Sequence, residues 1–243
     1  MGAAVKTEAV VLRSLRYGEA DRILHLYTAT RGRVGAIAKG VRRSRSRFGG
    51  RLEPFFRLHI ELHEGRSDLM TVTGAQTIDA YPALRADAAA LDGASRSCDA
   101  VARLFETEEP HVEVYNLLCR RLALLDETAR AAQHDIRAGE VAFRLKLMHA
   151  AGLAPQLAAC ASCGEREHLV GFSGAAGGVV CAACEAGSLP FGSAACEMMA
   201  RALGAPLRDA PDADAAVLGQ VERAIAATLE HHAHVRLTAA SPL

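Results

Sequence analysis

Between Thr7 and Ile78 hydrophobic and polar positions alternate in five short runs, TEAVVLRSL, RILHLYTA, GRVGAIAKG, EPFFRLHIELH and DLMTVTGAQTI. A period of two predicts strands, and Gly- and Asp-bearing breaks separate them. In the fourth run Phe56, Leu58, Ile60 and Leu62 take one face, and Arg57, His59 and Glu61 the other. Glu64-Gly65-Arg66 is placed as a hairpin turn. Five short strands with one long basic connection predict an OB-type barrel.

The period changes at Tyr81-Pro82. Beyond it apolar residues recur at helical spacing: Val101, Leu104 and Phe105, then Val114, Leu117, Leu118, Leu122 and Leu125. A further helix is expected from near Asp135 to Ala151, with Val141, Leu145 and Met148 on one face and Gly152 and Pro155 as its stop. Helical spacing returns from Ala194 to Leu203 and from Val217 to Val235, with a polar loop, Gly204 to Asp214, between them. The expected class is α+β. An OB-type barrel spans 1–80, a helical domain 81–155 and 190–243, and a cysteine- and glycine-rich insertion 156–189.

With 243 residues, half of them hydrophobic, the chain can bury a substantial core. No apolar run approaches the roughly 20 residues of a membrane span, and the start MGAAVKTEAVVLRSLR has no secretory pattern, so a soluble, cytoplasmic protein is expected. Its formal net charge is zero, but residues 1–80 hold 14 Lys+Arg against 8 Asp+Glu, and the remainder hold 14 against 20. A front of +6 and a back of −6 suit a domain that meets a polyanion, although ordinary proteins also carry uneven charge.

Four of the seven cysteines read Cys160-x2-Cys163 and Cys181-x2-Cys184, separated by 17 residues. That is zinc-ligand spacing: each CxxC turns two thiolates toward one ion, and a hairpin of Val170-Gly171-Phe172-Ser173 and Gly178-Val179-Val180 brings the pairs together. The alternatives are two disulfides, disfavoured in a reducing cytoplasm, or incidental thiols. Four sulfurs leave no position for water or substrate, so one structural Zn2+ is expected. Cys98, Cys119 and Cys196 are expected as small core residues, and His231, His232 and His234 as a solvated helix terminus.

The segment Lys39-Gly40-Val41-Arg42-Arg43-Ser44-Arg45-Ser46-Arg47-Phe48-Gly49-Gly50-Arg51 carries six cations and no acid. Arginine forks onto phosphate and stacks on bases, and serine hydroxyls add donors. The segment predicts electrostatic, sequence-blind binding of nucleic acid, against the alternative of a solvated loop. Tyr17, Tyr27, Phe48, Phe55 and Phe56 are the candidates for base stacking, some of them needed as barrel core, and there is no tryptophan. Neither a Walker loop, a nucleophile elbow nor HExxH is present, so no enzyme is expected.

VVLRSLRYGEADRILHLYT, RGRVGAIAKGVRRSRSRFGGRLEPF and GFSGAAGGVVCAAC together resemble the RecO family of DNA repair proteins, most specifically in KGVRRSRSRFGGRLEPF. The resemblance implies an OB barrel, a helical domain and an embedded zinc segment. It further implies a recombination mediator that binds single- and double-stranded DNA, anneals complementary strands, and works with RecR to load RecA onto DNA coated by single-strand-binding protein, in the cytoplasm and at the nucleoid during repair. The family's basic loop falls on Lys39, Arg42, Arg43, Arg45, Arg47 and Arg51, and its zinc ligands fall on Cys160, Cys163, Cys181 and Cys184. Arg13, Arg16, Arg22 and Arg33 are added for charge on the same barrel. The ending LEHHAHVRLTAASPL is less basic than the family's tail. The resemblance also implies that the acidic, hydrophobic tail of single-strand-binding protein docks on the helical domain, where Arg120 and Arg121 beside Leu117, Leu118 and Leu122 are candidates, or else a surface charge pair over a core stripe. Two rivals remain: an RNA-binding OB and zinc-ribbon module, and a metal-dependent nuclease.

Overall fold

The computed structural model describes residues 4–43, 46–65, 67–132 and 136–237. Arg45, Arg66 and Asp135, which enter the sequence expectations, lie outside the described residues. The chain forms two compact units, Met1–His134 and Asp135–Leu243.

Five strands open the first unit: β1 (Ala4–Tyr17), β2 (Asp21–Thr28), β3 (Gly32–Ala38), β4 (Arg57–His63) and β5 (Met70–Asp79). They close into a barrel in the order β1-β2-β3-β5-β4, antiparallel throughout except for the short parallel pairing of β3 with β5. β1 serves two partners. Ala4 to Val10 pair with β4, Ala9 to Tyr17 pair with β2, and the register shifts between Val11 and Arg13. Such an irregularity bends a strand around a barrel corner. Alternate residues of every strand point inward, among them Ala9, Val11, Leu24, Leu26, Val34, Ala36, Leu58, Ile60, Leu62 and Val72. Each fully buried Leu or Ile contributes roughly 1.5–3 kcal/mol, which fixes the register, because a one-residue slip would turn the whole set outward.

Three helices complete this unit: α1 (Pro82–Ala86), α2 (Ala88–Leu104) and α3 (Val112–Arg130). The Asp87 side chain caps α2 by accepting from the Ala90 N–H at 2.8 Å. Ala90, Ala94, Cys98 and Val101 form the buried stripe of α2, and Val114, Leu118, Leu122 and Leu125 that of α3. Phe105, just past α2, sits edge-on to Tyr27 of the barrel. Gly32 takes a left-handed φ of 59°, and a Cβ there would lie 2.2 Å from the Glu109 carbonyl oxygen. Only glycine lets the α2–α3 connection approach the β2–β3 turn so closely.

The second unit holds α4 (Arg137–Ala150), β6 (Leu169–Ser173), β7 (Gly178–Cys181), β8 (Leu189–Pro190), α5 (Ser193–Gly204) and α6 (Ala215–His232). α4 ends where the sequence predicts, the Gly152 and Leu153 amides donating to His149 and Met148 at 3.0 and 2.8 Å. Val141, Leu145 and Met148 face a core shared with Met198, Met199, Leu218, Val221 and Ile225. The strands form a sheet in the order β7-β6-β8. The helical stretch expected as one domain is therefore divided: α2 and α3 bury their stripes against each other and β1, whereas α4 packs with α5 and α6. Among the described residues no helix is long and apolar enough to cross a membrane.

Candidate nucleic-acid interface and metal centre

In its described residues, 39–43 and 46–56, the basic connection is a chain of tight turns seated on the barrel. Arg43, Ser46, Gly49 and Arg51 amides donate to Gly40, Arg43, Ser46 and Phe48 carbonyls at 3.2, 3.0, 3.4 and 3.2 Å. Phe48 and Leu52 are 2% exposed and belong to the barrel core, with Val41 and Phe56 packed beside them. Phe48 is thus core rather than a surface ring for bases, as is Tyr27, which is fully buried. Both ends of the connection are tied down. The Arg42 amide donates to the Ala20 carbonyl at 2.9 Å and the Gly40 amide to Asp21 Oδ1 at 2.7 Å. At the far end Val11 bonds two successive residues, accepting at its carbonyl from the Phe55 amide at 2.7 Å and donating from its amide to the Phe56 carbonyl at 3.0 Å.

Once its apolar residues are sunk into the barrel, the cations of this segment are left outside. Lys39, Arg42, Arg43, Arg47 and Arg51 are all exposed, and among the described residues none has a carboxylate partner. Glu53, the first acid after the run, is engaged by Arg22, whose Nη1 lies 3.0 Å from Glu53 Oε2 and 3.0 Å from Ser14 Oγ. The tip of the β1–β2 hairpin adds exposed Arg16 and Tyr17 to the same edge. Arg13 lies 3.7 Å from Asp99, and Arg33 donates to the Ala102 carbonyl at 3.0 Å with Glu106 at 3.8 Å, so these two serve the packing of α2 on the barrel. Phe55 and Phe56 are half-buried.

Sequence reasoning missed Arg85. It is exposed on α1, donates from Nη1 to the Pro54 carbonyl at 3.2 Å, and holds its guanidinium 4.6 Å from the centroid of Phe56. Nothing in the linear order joins a residue of the first helix to the end of the basic loop. Arg121, by contrast, is buried with its Nε 3.4 Å from Ser97 Oγ, so with exposed Arg120 it forms neither the groove rim nor the surface charge pair offered as alternatives.

In the second unit the Sγ atoms of Cys160, Cys163, Cys181 and Cys184 lie within 4.8 Å of one another, with Cys163 and Cys181 3.7 Å apart. A tetrahedral metal with sulfur bonds of about 2.3 Å has edges of about 3.8 Å, so the set fits such an ion. β6 and β7 form the expected hairpin. Gly177, with φ of 72°, turns the chain, and at Gly178 a Cβ would lie 2.3 Å from the Gln156 carbonyl oxygen. This glycine pair lets β7 receive the strand-like contact from Gln156. Backbone amides directed at its sulfur, that of Cys181 first, bring the Cys160 thiol down to about 6, whereas crowding by the Cys163 and Cys181 sulfurs pushes Cys184 up to about 12. A divalent cation bound by these sulfurs would favour their thiolate form. Cys98 and Cys119 are buried as expected, and Cys196 is half-buried, its thiol 3.6 Å from the Leu157 carbonyl. The His232 ring meets the Gly174 carbonyl at 2.9 Å while staying exposed.

Two family models match the chain, Recombination protein O N terminal over residues 1–81 and Recombination protein O C terminal over residues 85–239. The DNA repair protein RecO of Anaeromyxobacter dehalogenans (strain 2CP-C) is 38% identical over 243 residues, covering 97% of this chain and 94% of that protein. Those of Bifidobacterium animalis subsp. lactis (strain AD011) and Bifidobacterium adolescentis are 41% and 44% identical over 181 residues, covering 74% and 72% of this chain and 73% and 72% of those proteins. With both halves matched and relatives aligned along nearly its full length, this chain belongs to the RecO family of DNA repair proteins.

Proposed function

We propose that this chain is a recombination mediator that grips the phosphate backbone of unpaired DNA at the basic edge of its barrel, lets complementary strands meet there, and with RecR helps load RecA onto DNA coated by single-strand-binding protein. The observation that carries the DNA contact is the set Lys39, Arg42, Arg43, Arg47 and Arg51, exposed and without carboxylate partners on a connection anchored by Phe48 and Leu52. Anchoring holds the cations in one place before the ligand arrives, which lowers the ordering cost of binding. Arg16 extends the edge, and Arg45 belongs to the same proposal from sequence. Arg13, Arg22 and Arg33 contribute field more than direct contacts, because their guanidinium groups already face Asp99, Glu53 and Glu106. Screening of strand–strand repulsion by this edge suffices for annealing and needs no covalent step. The partner list rests on family membership.

Zn2+ is the ion the cysteines would hold, as a structural element. For the acidic tail of single-strand-binding protein the second unit offers a cleft of about 340 Å3 lined by Arg137, Arg144, Arg223, Ile225, Ala226 and Leu237. Arg137 is engaged by Glu222 at 2.8 Å, whereas Arg223 is exposed with no carboxylate partner among the described residues. A fluorescent tail peptide should lose affinity on Arg223→Ala; unchanged binding would remove this cleft from consideration.

The function is tested by annealing of labelled complementary strands coated with single-strand-binding protein, with magnesium present. Faster annealing of intact strands, lost in Arg42→Ala/Arg43→Ala, is the expected result. Strand degradation would favour a nuclease, and strong preference for RNA of the same sequence would favour an RNA-binding module.

A further inference from the structure

Unpaired bases need flat surfaces to stack on, and the barrel edge offers few aromatic ones: Phe48 and Tyr27 are buried, and only Tyr17 is largely exposed. Two exposed arginines instead hold their guanidinium groups over phenylalanine rings. Arg47 lies over the ring of Phe48 at 4.8 Å and donates from Nη2 to the Val72 carbonyl at 3.4 Å. Arg85 lies over Phe56 at 4.6 Å and donates from Nη1 to the Pro54 carbonyl at 3.2 Å. The two constructions match. In each, the guanidinium lies over a phenylalanine ring and donates to one backbone carbonyl, and the residue as a whole is exposed.

Neither charge is cancelled by a carboxylate among the described residues. Arg57 shows the contrast, since its guanidinium near Tyr115 is taken by Glu8 at 2.7 Å. The backbone beneath Arg85 is also fixed, because Leu84 is fully buried and its amide donates to Asp126 Oδ1 at 2.9 Å. A planar cation held flat at low entropic cost is suited to stack a nucleobase, and lysine cannot substitute for it.

We infer that Arg47 and Arg85 are base-stacking platforms, so that this chain reads unpaired nucleobases through guanidinium planes backed by phenylalanine. The inference rests on the proposed DNA contact and adds to it a term that depends on bases rather than phosphates. It makes the edge selective for single strands, whose bases are free to leave the stack.

The test compares a thymidine oligonucleotide with an abasic strand of equal phosphate number, using the full chain and the double variant Arg47→Lys/Arg85→Lys, whose charge is unchanged. The wild type should bind the thymidine strand at least about fivefold more tightly than the abasic one, and the variant should lose that preference, its thymidine affinity falling well beyond any change in its abasic affinity, with the salt slope held by its unchanged charge. Equal losses on both strands would make these arginines phosphate contacts or loop supports, and an unaltered preference would show that other groups hold the bases; either overturns the inference and leaves the DNA contact standing. A wild type that binds neither strand overturns both.

Discussion

The basic loop and the four-cysteine hairpin are both long, glycine-bearing connections without a core of their own, and they are held in opposite ways. The loop drops Phe48 and Leu52 into a barrel already lined by Leu24, Leu26, Leu58, Ile60 and Leu62. The hairpin buries Phe172 and Val179 on its strands, but the cluster at its cysteine end is small, Cys160, Val180 and Cys181. In the first case the hydrophobic effect anchors the segment and leaves its polar side chains free for a ligand. In the second the four thiols, clustered within 4.8 Å, would themselves be the anchor once they hold a metal ion, and would be consumed by it. A binding surface can therefore be built on the loop, and a rigid structural knot on the hairpin.

Removing metal tests the contrast most harshly. Stripping with a chelator, or Cys181→Ser, should abolish hydrogen-exchange protection of the Val179, Val180 and Ala182 amides and leave the barrel amides protected, since a structural zinc contributes on the order of 10 kcal/mol to the folding of its segment. Protection that survived chelation would mean that packing alone holds the hairpin. Next in size, Phe48→Ala should cost the first unit about 3–5 kcal/mol, read as a lowered melting temperature that chelation does not change. A cost near zero would show that the loop is not anchored through the core.

A smaller effect comes from Glu8, whose carboxyl is held below its ordinary range by hydrogen bonds from Arg57, with the Tyr115 hydroxyl adding to them against burial. A depressed carboxylate stabilises the fold above its unfolded pKa and loses that contribution as pH falls through its folded value. Glu8→Gln should therefore reduce stability near neutrality by about 0.5–1 kcal/mol, allowing for its partial exposure. The difference from wild type should vanish in acid. A difference that persisted there would assign it to packing.

The period-two runs and helical stripes gave strands and helices close to those observed, because burial on one face imposes those periods directly on the chain. The clustering of the four cysteines was equally legible, since a CxxC pair is set by local backbone geometry. Two features were not. Phe48 sits among arginines and glycines, so its surroundings in the sequence read as surface although its ring is core. Arg85 lies on a five-residue helix with one buried side chain, too short to show a stripe, and its partners Pro54 and Phe56 come from another part of the chain. Both depend on how the connection folds back over the barrel, which no local pattern encodes.

The slope of log affinity for a single strand against log salt concentration bears most directly on the central claim. With roughly four to six phosphates neutralised the slope should be about −3 to −4, and Arg42→Ala/Arg43→Ala/Arg51→Ala should flatten it by about 2. A variant with the wild-type slope and affinity would show that the backbone of DNA is held somewhere other than the barrel's basic edge.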